Sequence, residues 1–190
     1  MLVVGFPAGP WGTNCYLVAR GAGEQCVIVD PGKDAMPGID QMVAEHRLSP
    51  VAVLLTHGHI DHVWSVVPVC GARGIPAYLH PDDRWQMAAA YERIHAATDE
   101  ALQELSGGTL TASEPDDLRE LSDGVSLEVA GLTFTVLPDP RGDITRAWGM
   151  TVFPTTVLVD TQGRPQRVVS GAVDWTGAQA QQWVAALRRS

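Results

Sequence analysis

Three histidines and an aspartate fall within His57-Gly58-His59-Ile60-Asp61-His62, and all four side chains can ligate a divalent metal ion. Imidazole nitrogen combined with carboxylate oxygen suits zinc, and also iron or manganese. His57 and His59 are two residues apart, and in extended backbone such side chains point the same way, so both can reach one ion. Asp61 and His62 come just after, at the expected start of a helix, and point to a second position nearby. Gly58 reads as the residue that lets the backbone turn between ligands. A lone surface histidine is usually just solvated. A cluster this dense is the kind of loop that two-metal hydrolases use.

Such side chains need a rigid support. Val51-Ala52-Val53-Leu54-Leu55 is a continuous apolar run whose length predicts a strand buried on both faces. The histidine loop leaves its carboxyl end, where residues are well placed to face a shared site. Apolar residues at Val63, Val66, Val67 and Cys70 predict a helix over 61–71, kinked or shortened by Pro68. Upstream, 2–7, 14–19 and 26–30 read as strands, antiparallel at first, and 38–46 as a helix through Ile39, Met42, Val43 and His46. Downstream, 76–79 reads as a short strand and 82–106 as helical, with Trp85, Ala89 and Ile94 inward. Residues 107–124 read as a loop or weakly ordered insert. A hairpin over 126–137 turns at Ala130-Gly131. After a Pro/Gly/Asp-rich break at 138–143 come a helical turn over 144–149 and a hairpin formed by 156–160 and 166–170. An amphipathic helix over 177–189 carries Ala180, Trp183, Val184 and Leu187 on one face.

The chain of 190 residues has 45% hydrophobic and 18% charged residues, enough apolar material for a real core. Its formal net charge of −9 repels phosphate backbones and anionic lipid heads, so nucleic acid and membrane surfaces are poor partners. No apolar run reaches the ~18 residues of a membrane span, and the N-terminus does not read as a signal peptide. The three cysteines, Cys15, Cys26 and Cys70, are odd in number and lack C-x-x-C spacing. They read as buried thiols in a reducing cytoplasm, which is the expected location.

The H-x-H-x-D-H pattern of His57 to His62 resembles the signature of the metallo-β-lactamase superfamily, most closely its small bacterial glyoxalase II-like members. Other segments match in order: Gly12-Thr13-Asn14-Cys15-Tyr16-Leu17-Val18, Val27-Ile28-Val29-Asp30-Pro31-Gly32, Ala52-Val53-Leu54-Leu55-Thr56, and Leu127 to Leu137. The resemblance covers residues 1 to about 137. It implies that His57 and His59 hold a first metal and Asp61 and His62 a second, with Asp61 also counted as catalytic. It implies one or two zinc ions, with iron or manganese as alternatives, and a small-molecule thioester as substrate. In such enzymes the ions activate water for attack on a thioester or amide carbonyl.

The sequence departs from that pattern after Val136-Leu137. The family carries H-T-P-G-H there, whereas this chain has Pro138-Asp139-Pro140-Arg141-Gly142, with Gly142 at the position of the last histidine. Farther on the family supplies a bridging aspartate and a late histidine, whereas no histidine follows His95 here. Asp139, Asp143 and His80 are the candidate substitute ligands, although two aspartates in a Pro/Gly-rich loop are more often turn formers.

Residues 138–190 resemble instead the second half of a thioredoxin-like protein, through Trp148-Gly149-Met150, Val152 to Asp160 and Gly171-Ala172-Val173-Asp174-Trp175. That likeness makes Pro154 the counterpart of a structural cis-proline. The C-x-x-C that would do redox chemistry is missing, so a thioredoxin-like redox module is disfavoured. Two parts are expected, 1–137 and 138–190, as in a fusion or chimera. The expected fold is α/β: half of a metallo-β-lactamase-type αββα sandwich, completed by a thioredoxin-like β-hairpin and C-terminal helix. The expected function is a metallo-hydrolase-like protein, a thioester hydrolase of glyoxalase II type with an incomplete metal site, or else an inactive metal-binding chimera. Half a sandwich leaves an apolar sheet face to be covered by the tail, by a second copy in a homodimer, or by aggregation.

Overall fold

The structure, a computed structural model, describes residues 1–87, 114–136, 139, 141–150, 155–160, 162–171, 173, 175 and 177–187. Three Val- and Leu-rich strands open the chain: β1 (Leu2–Ala8), β2 (Thr13–Ala19) and β3 (Gln25–Val29). They pair antiparallel, as expected. After α1 (Ala35–His46) the sheet turns parallel through β4 (Ser49–Leu54), β5 (Ala77–Leu79) and β6 (Leu118–Glu120), giving the order β1-β2-β3-β4-β5-β6. Between β4 and β5 lie α2 (Ile60–Val63) and α3 (Val66–Arg73).

Strand register sorts the side chains into two faces. Val4, Leu17, Ile28, Val53 and Ala77 are cross-strand neighbours in one row, and all are 0% exposed. They pack beneath Ile39 and Met42 of α1 and Val66 and Val69 of α3. Burial of each large aliphatic side chain in this row contributes roughly 1.5–3 kcal/mol. The next row, Gly5, Tyr16, Val29, Leu54 and Tyr78, points to the opposite face, away from the helices. β4 is buried on both faces through Ala52 and Val53, in keeping with its unbroken apolar run.

That second face is covered from two directions. On the β4–β5 side lies a separate hairpin of β7 (Ser126–Val129) and β8 (Leu132–Thr135). Its turn has Ala130 at φ 54 and Gly131 at φ 67, both left-handed, as a two-residue hairpin turn that follows the strand twist requires. After the short helix α4 (Asp143–Ala147), a C-terminal unit lies on the β1–β2 side: the antiparallel pair β9 (Thr155–Val159) and β10 (Pro165–Ser170), and α5 (Ala178–Ala186). The core of this unit is Leu158, Val169, Trp175, Ala180, Val184 and Leu187, with Tyr16 of β2 packed against it.

Several expectations need correction. The helix expected over 61–71 is two helices, and the break falls at Trp64-Ser65 rather than at Pro68. Pro68 is the third residue of α3, where the backbone N–H has no intrahelical partner to lose. Residues 118–120, expected in a loop, form β6 because Ala77 and Leu79 offer an open strand edge. The final helix reaches the sheet through Gln181, whose Nε2 donates to the Val3 carbonyl oxygen (3.3 Å). Trp183 lies beside Trp175 and under the Arg167 guanidinium, 4.8 Å from the ring centroid. Pro154, Leu137, Ala89, Ile94 and His95 lie outside the described residues. All three cysteines are free and buried; burial pushes the thiols of Cys26 and Cys70 up to about 12 and Cys15 higher still.

Candidate metal centre

The histidine loop leaves the end of β4 and enters α2, with His59 as the helix N-cap residue. The rings of His57 and His59 lie 4.4 Å apart between centroids, and those of His57 and His62 lie 4.1 Å apart. The three imidazoles therefore form one cluster. Gly58 has a role other than the one expected. It carries no positive φ, and a Cβ added there would collide with the Asp83 carbonyl oxygen, because the helical residues 81–87 pass directly against it. Its value is close approach rather than a turn.

Asp30 organises the cluster. It is 4% exposed, sits just beyond β3 at φ 50, and its carboxylate accepts three hydrogen bonds. Oδ1 receives the Thr56 backbone N–H (2.8 Å), and Oδ2 receives the Thr56 hydroxyl (2.6 Å). His62 Nδ1 also lies 2.9 Å from Oδ2. With Nδ1 donating to that carboxylate, Nε2 carries the ring's free lone pair. This is the arrangement that orients a histidine for a metal. Burial opposes protonation of His62, but its hydrogen bond and charge pairing with Asp30, and the Asp61 charge, raise its pKa above the ordinary value. His57 is shifted down, by burial first and then by the neighbouring His62 and His59. Sequence reasoning gave Asp30 no role. The available signal was an aspartate ending an apolar strand before Pro31-Gly32.

Asp61 Oδ2 accepts from the Thr13 hydroxyl (2.9 Å) and lies 3.3 Å from His62 Nε2. Donors on one tetrahedral ion with bonds of about 2.0–2.2 Å stand roughly 3.4 Å apart, so this pair has the separation of two ligands to one metal. Among the described residues, however, no group of three or more His, Cys, Asp or Glu side chains is arranged to hold an ion. The donor chemistry fits a divalent metal, and the set is short.

The cluster opens into a cavity of about 750 Å³, whose wall includes Trp11, Asn14 and Tyr16 as well as the four motif residues. Thr155 and Thr156 of β9 also line it, and Thr156 Oγ1 is 3.0 Å from the Tyr16 hydroxyl. The C-terminal unit thus supplies one side of the cavity. None of the candidate substitute ligands lines it. Asp139 accepts from the backbone N–H groups of Ile144 and Thr145 and from the Thr145 hydroxyl, which hold its carboxyl down at about 2. Those bonds cap α4. Asp143 pairs with Arg141 and Arg146, and His80 with Asp123 at 2.6 Å.

The mixed α/β architecture with its central sheet agrees with comparisons to known proteins. The chain belongs to the metallo-beta-lactamase superfamily, whose family model matches residues 8–145, eight residues past the expected boundary at 137. Members of that superfamily are generally metal-dependent hydrolases. The chain is 42% identical over 148 residues to the uncharacterized protein ML0493 of Mycobacterium leprae, covering 76% of this chain and 66% of that one. It therefore spans about two thirds of that relative's length. A stretch of 42 residues is 57% identical to hydroxyacylglutathione hydrolase of Pectobacterium carotovorum, covering 22% of this chain and 16% of that enzyme. Among solved structures, TTHA1623 in a di-iron-bound form matches with a TM-score of 0.52 and 32% identity, over 72% of this chain and 60% of that one. Among the described residues no helix is long and apolar enough to cross a membrane.

Proposed function

We propose that this chain is a metal-binding protein of metallo-hydrolase type that holds a single, loosely bound divalent ion and acts weakly on thioesters. The observation that carries the reading is the Asp61–His62 donor pair, 3.3 Å apart and held by Thr13 and Asp30. The rings of His57 and His59 stand beside that pair but do not join it in a group of three donors arranged to hold an ion. The ion would polarise a carbonyl and lower the pKa of water. Asp30 keeps His62 in the ligating tautomer, and Thr13 aims the Asp61 carboxylate. Weak activity follows from the ligand count, since catalytic zinc usually has three protein ligands plus water. Zinc is the first choice, with iron supported by the di-iron form of the related TTHA1623 and manganese by donor type. Thioesters are the proposed substrates because of the local likeness to hydroxyacylglutathione hydrolase. The C-terminal unit consists of a hairpin and a closing helix, and no cysteine follows Cys70, so we assign it no redox role.

Elemental analysis of chelator-free protein tests this reading. We expect at most one equivalent per chain, lost in Asp61→Ala/His62→Ala and weakened in His57→Ala/His59→Ala, together with slow thioester hydrolysis. Two tightly held equivalents in the unmodified protein would overturn it.

A further inference from the structure

A second cavity, of about 390 Å³, lies under the histidine loop on the sheet face turned away from the helices. Its floor is the in-register row Val29, Leu54 and Tyr78, and its roof is Phe134 and Val136 from the hairpin and the strand end after it. Thr56 borders both this cavity and the histidine cavity. The two spaces are therefore neighbours, with Thr56 between them.

Its chemistry differs from that of the larger cavity. The polar side chains in the wall are already engaged within the protein. Thr56 Oγ1 bonds Asp30 and His57, Tyr78 Oη accepts from Arg119, His80 bonds Asp123, and Thr135 Oγ1 bonds Ser126. What the wall offers a ligand is aliphatic and aromatic surface. The volume falls within the usual range for small-molecule sites. The hairpin roof is only half-buried, so its apolar residues gain further burial from an occupant.

We propose that this cavity takes the aliphatic acyl chain of the thioester, while the polar thiol-derived part occupies the histidine cavity. The proposal rests on the thioester reading and adds the acyl group: an unbranched chain of several carbons rather than a short hydroxyacyl group. An acyl chain is chosen over the thiol side because the larger cavity is lined by the metal-ligating side chains of the histidine loop and by Asn14, whose Oδ1 has no hydrogen-bond partner among the described residues, which suit a polar carrier.

Binding is measured first, so that turnover is not required. The probes are ketone analogues of N-acetylcysteamine thioesters, with a methylene replacing sulfur and acyl chains of two, four and eight carbons. Calorimetry on the metal-loaded protein should show affinity rising at least tenfold from the shortest to the longest chain. Phe134→Trp, which fills the cavity, should remove most of that gain without weakening the two-carbon probe. Phe134→Ala, which enlarges it, should move the preference to longer chains. Affinity independent of chain length, or a dependence that neither Phe134 variant changes, would overturn the proposal. Chain-length-independent binding together with a dimer in sedimentation would do so too, assigning the face to a second copy. If the dependence holds but no thioester is hydrolysed, the acyl site stands and the hydrolase reading alone fails.

Discussion

The six-stranded sheet and the C-terminal unit share one cavity but are stabilised very differently. In the sheet, a whole cross-strand row from Val4 to Ala77 is sealed, with two helices over it. Among the described residues of the C-terminal core, Trp175 is 1% and Ala180 3% exposed, while Leu158, Val169, Val184 and Leu187 remain 7–9% exposed. The first region distributes its stability over many side chains. The second gathers a few around one indole and leans on Tyr16 of the sheet, whose ring centroid lies 5.8 Å from that of Trp175. A metal site between them inherits rigidity from one side and looseness from the other.

Paired truncations test that contrast most strongly. Ile28→Ala should cost about 3–4 kcal/mol and lower the stability of the entire chain in denaturant melts. Trp175→Ala should cost a similar amount, about 3 kcal/mol, but locally. Hydrogen exchange should then show β9, β10 and α5 open while β1 to β4 stay protected. A uniform loss of protection across both regions would erase the distinction.

Asp30→Ala comes next. It leaves the Thr56 N–H without its acceptor and frees the His62 ring, at a cost of about 2 kcal/mol in stability. Metal affinity should fall about 10- to 100-fold, read by competition with a chelating dye. Unchanged affinity would mean that the loop holds its histidines without support from β3.

The smallest effect belongs to the hairpin turn. Ala130 occupies a left-handed conformation that disfavours a Cβ. Ala130→Gly should stabilise by about 0.5 kcal/mol or less, since the relief of strain is partly offset by the extra freedom of the unfolded chain. A thermal melt resolves the sign, and a clear loss would mean that the turn carries less strain than its φ implies.

Much of the architecture was legible because its signals are local. Short apolar runs bounded by glycine and proline marked β1 to β3, and the Ala130-Gly131 pair marked the observed hairpin turn. β6 was missed because Leu118-Arg119-Glu120 has no apolar pattern of its own and becomes a strand only by pairing with β5. The site was half legible. The ligand types stood together in the sequence, whereas Asp30 lies 26 residues before Thr56 and meets it only because β3 and β4 are parallel neighbours.

The sequence by itself determined the chemistry available: four metal-ligating side chains after an apolar strand, no histidine after His95 and no paired cysteines. These follow from residue identity and short spacing, which folding cannot alter. The tertiary structure alone decided how those groups are used. It brought the Asp30 carboxylate behind His62, turned Asp139 into a helix cap, set Thr155 and Thr156 against the histidine cavity and left an apolar space beneath it. Each of these depends on strand order and on which sheet face a side chain occupies, and both are set by packing between residues far apart in the chain.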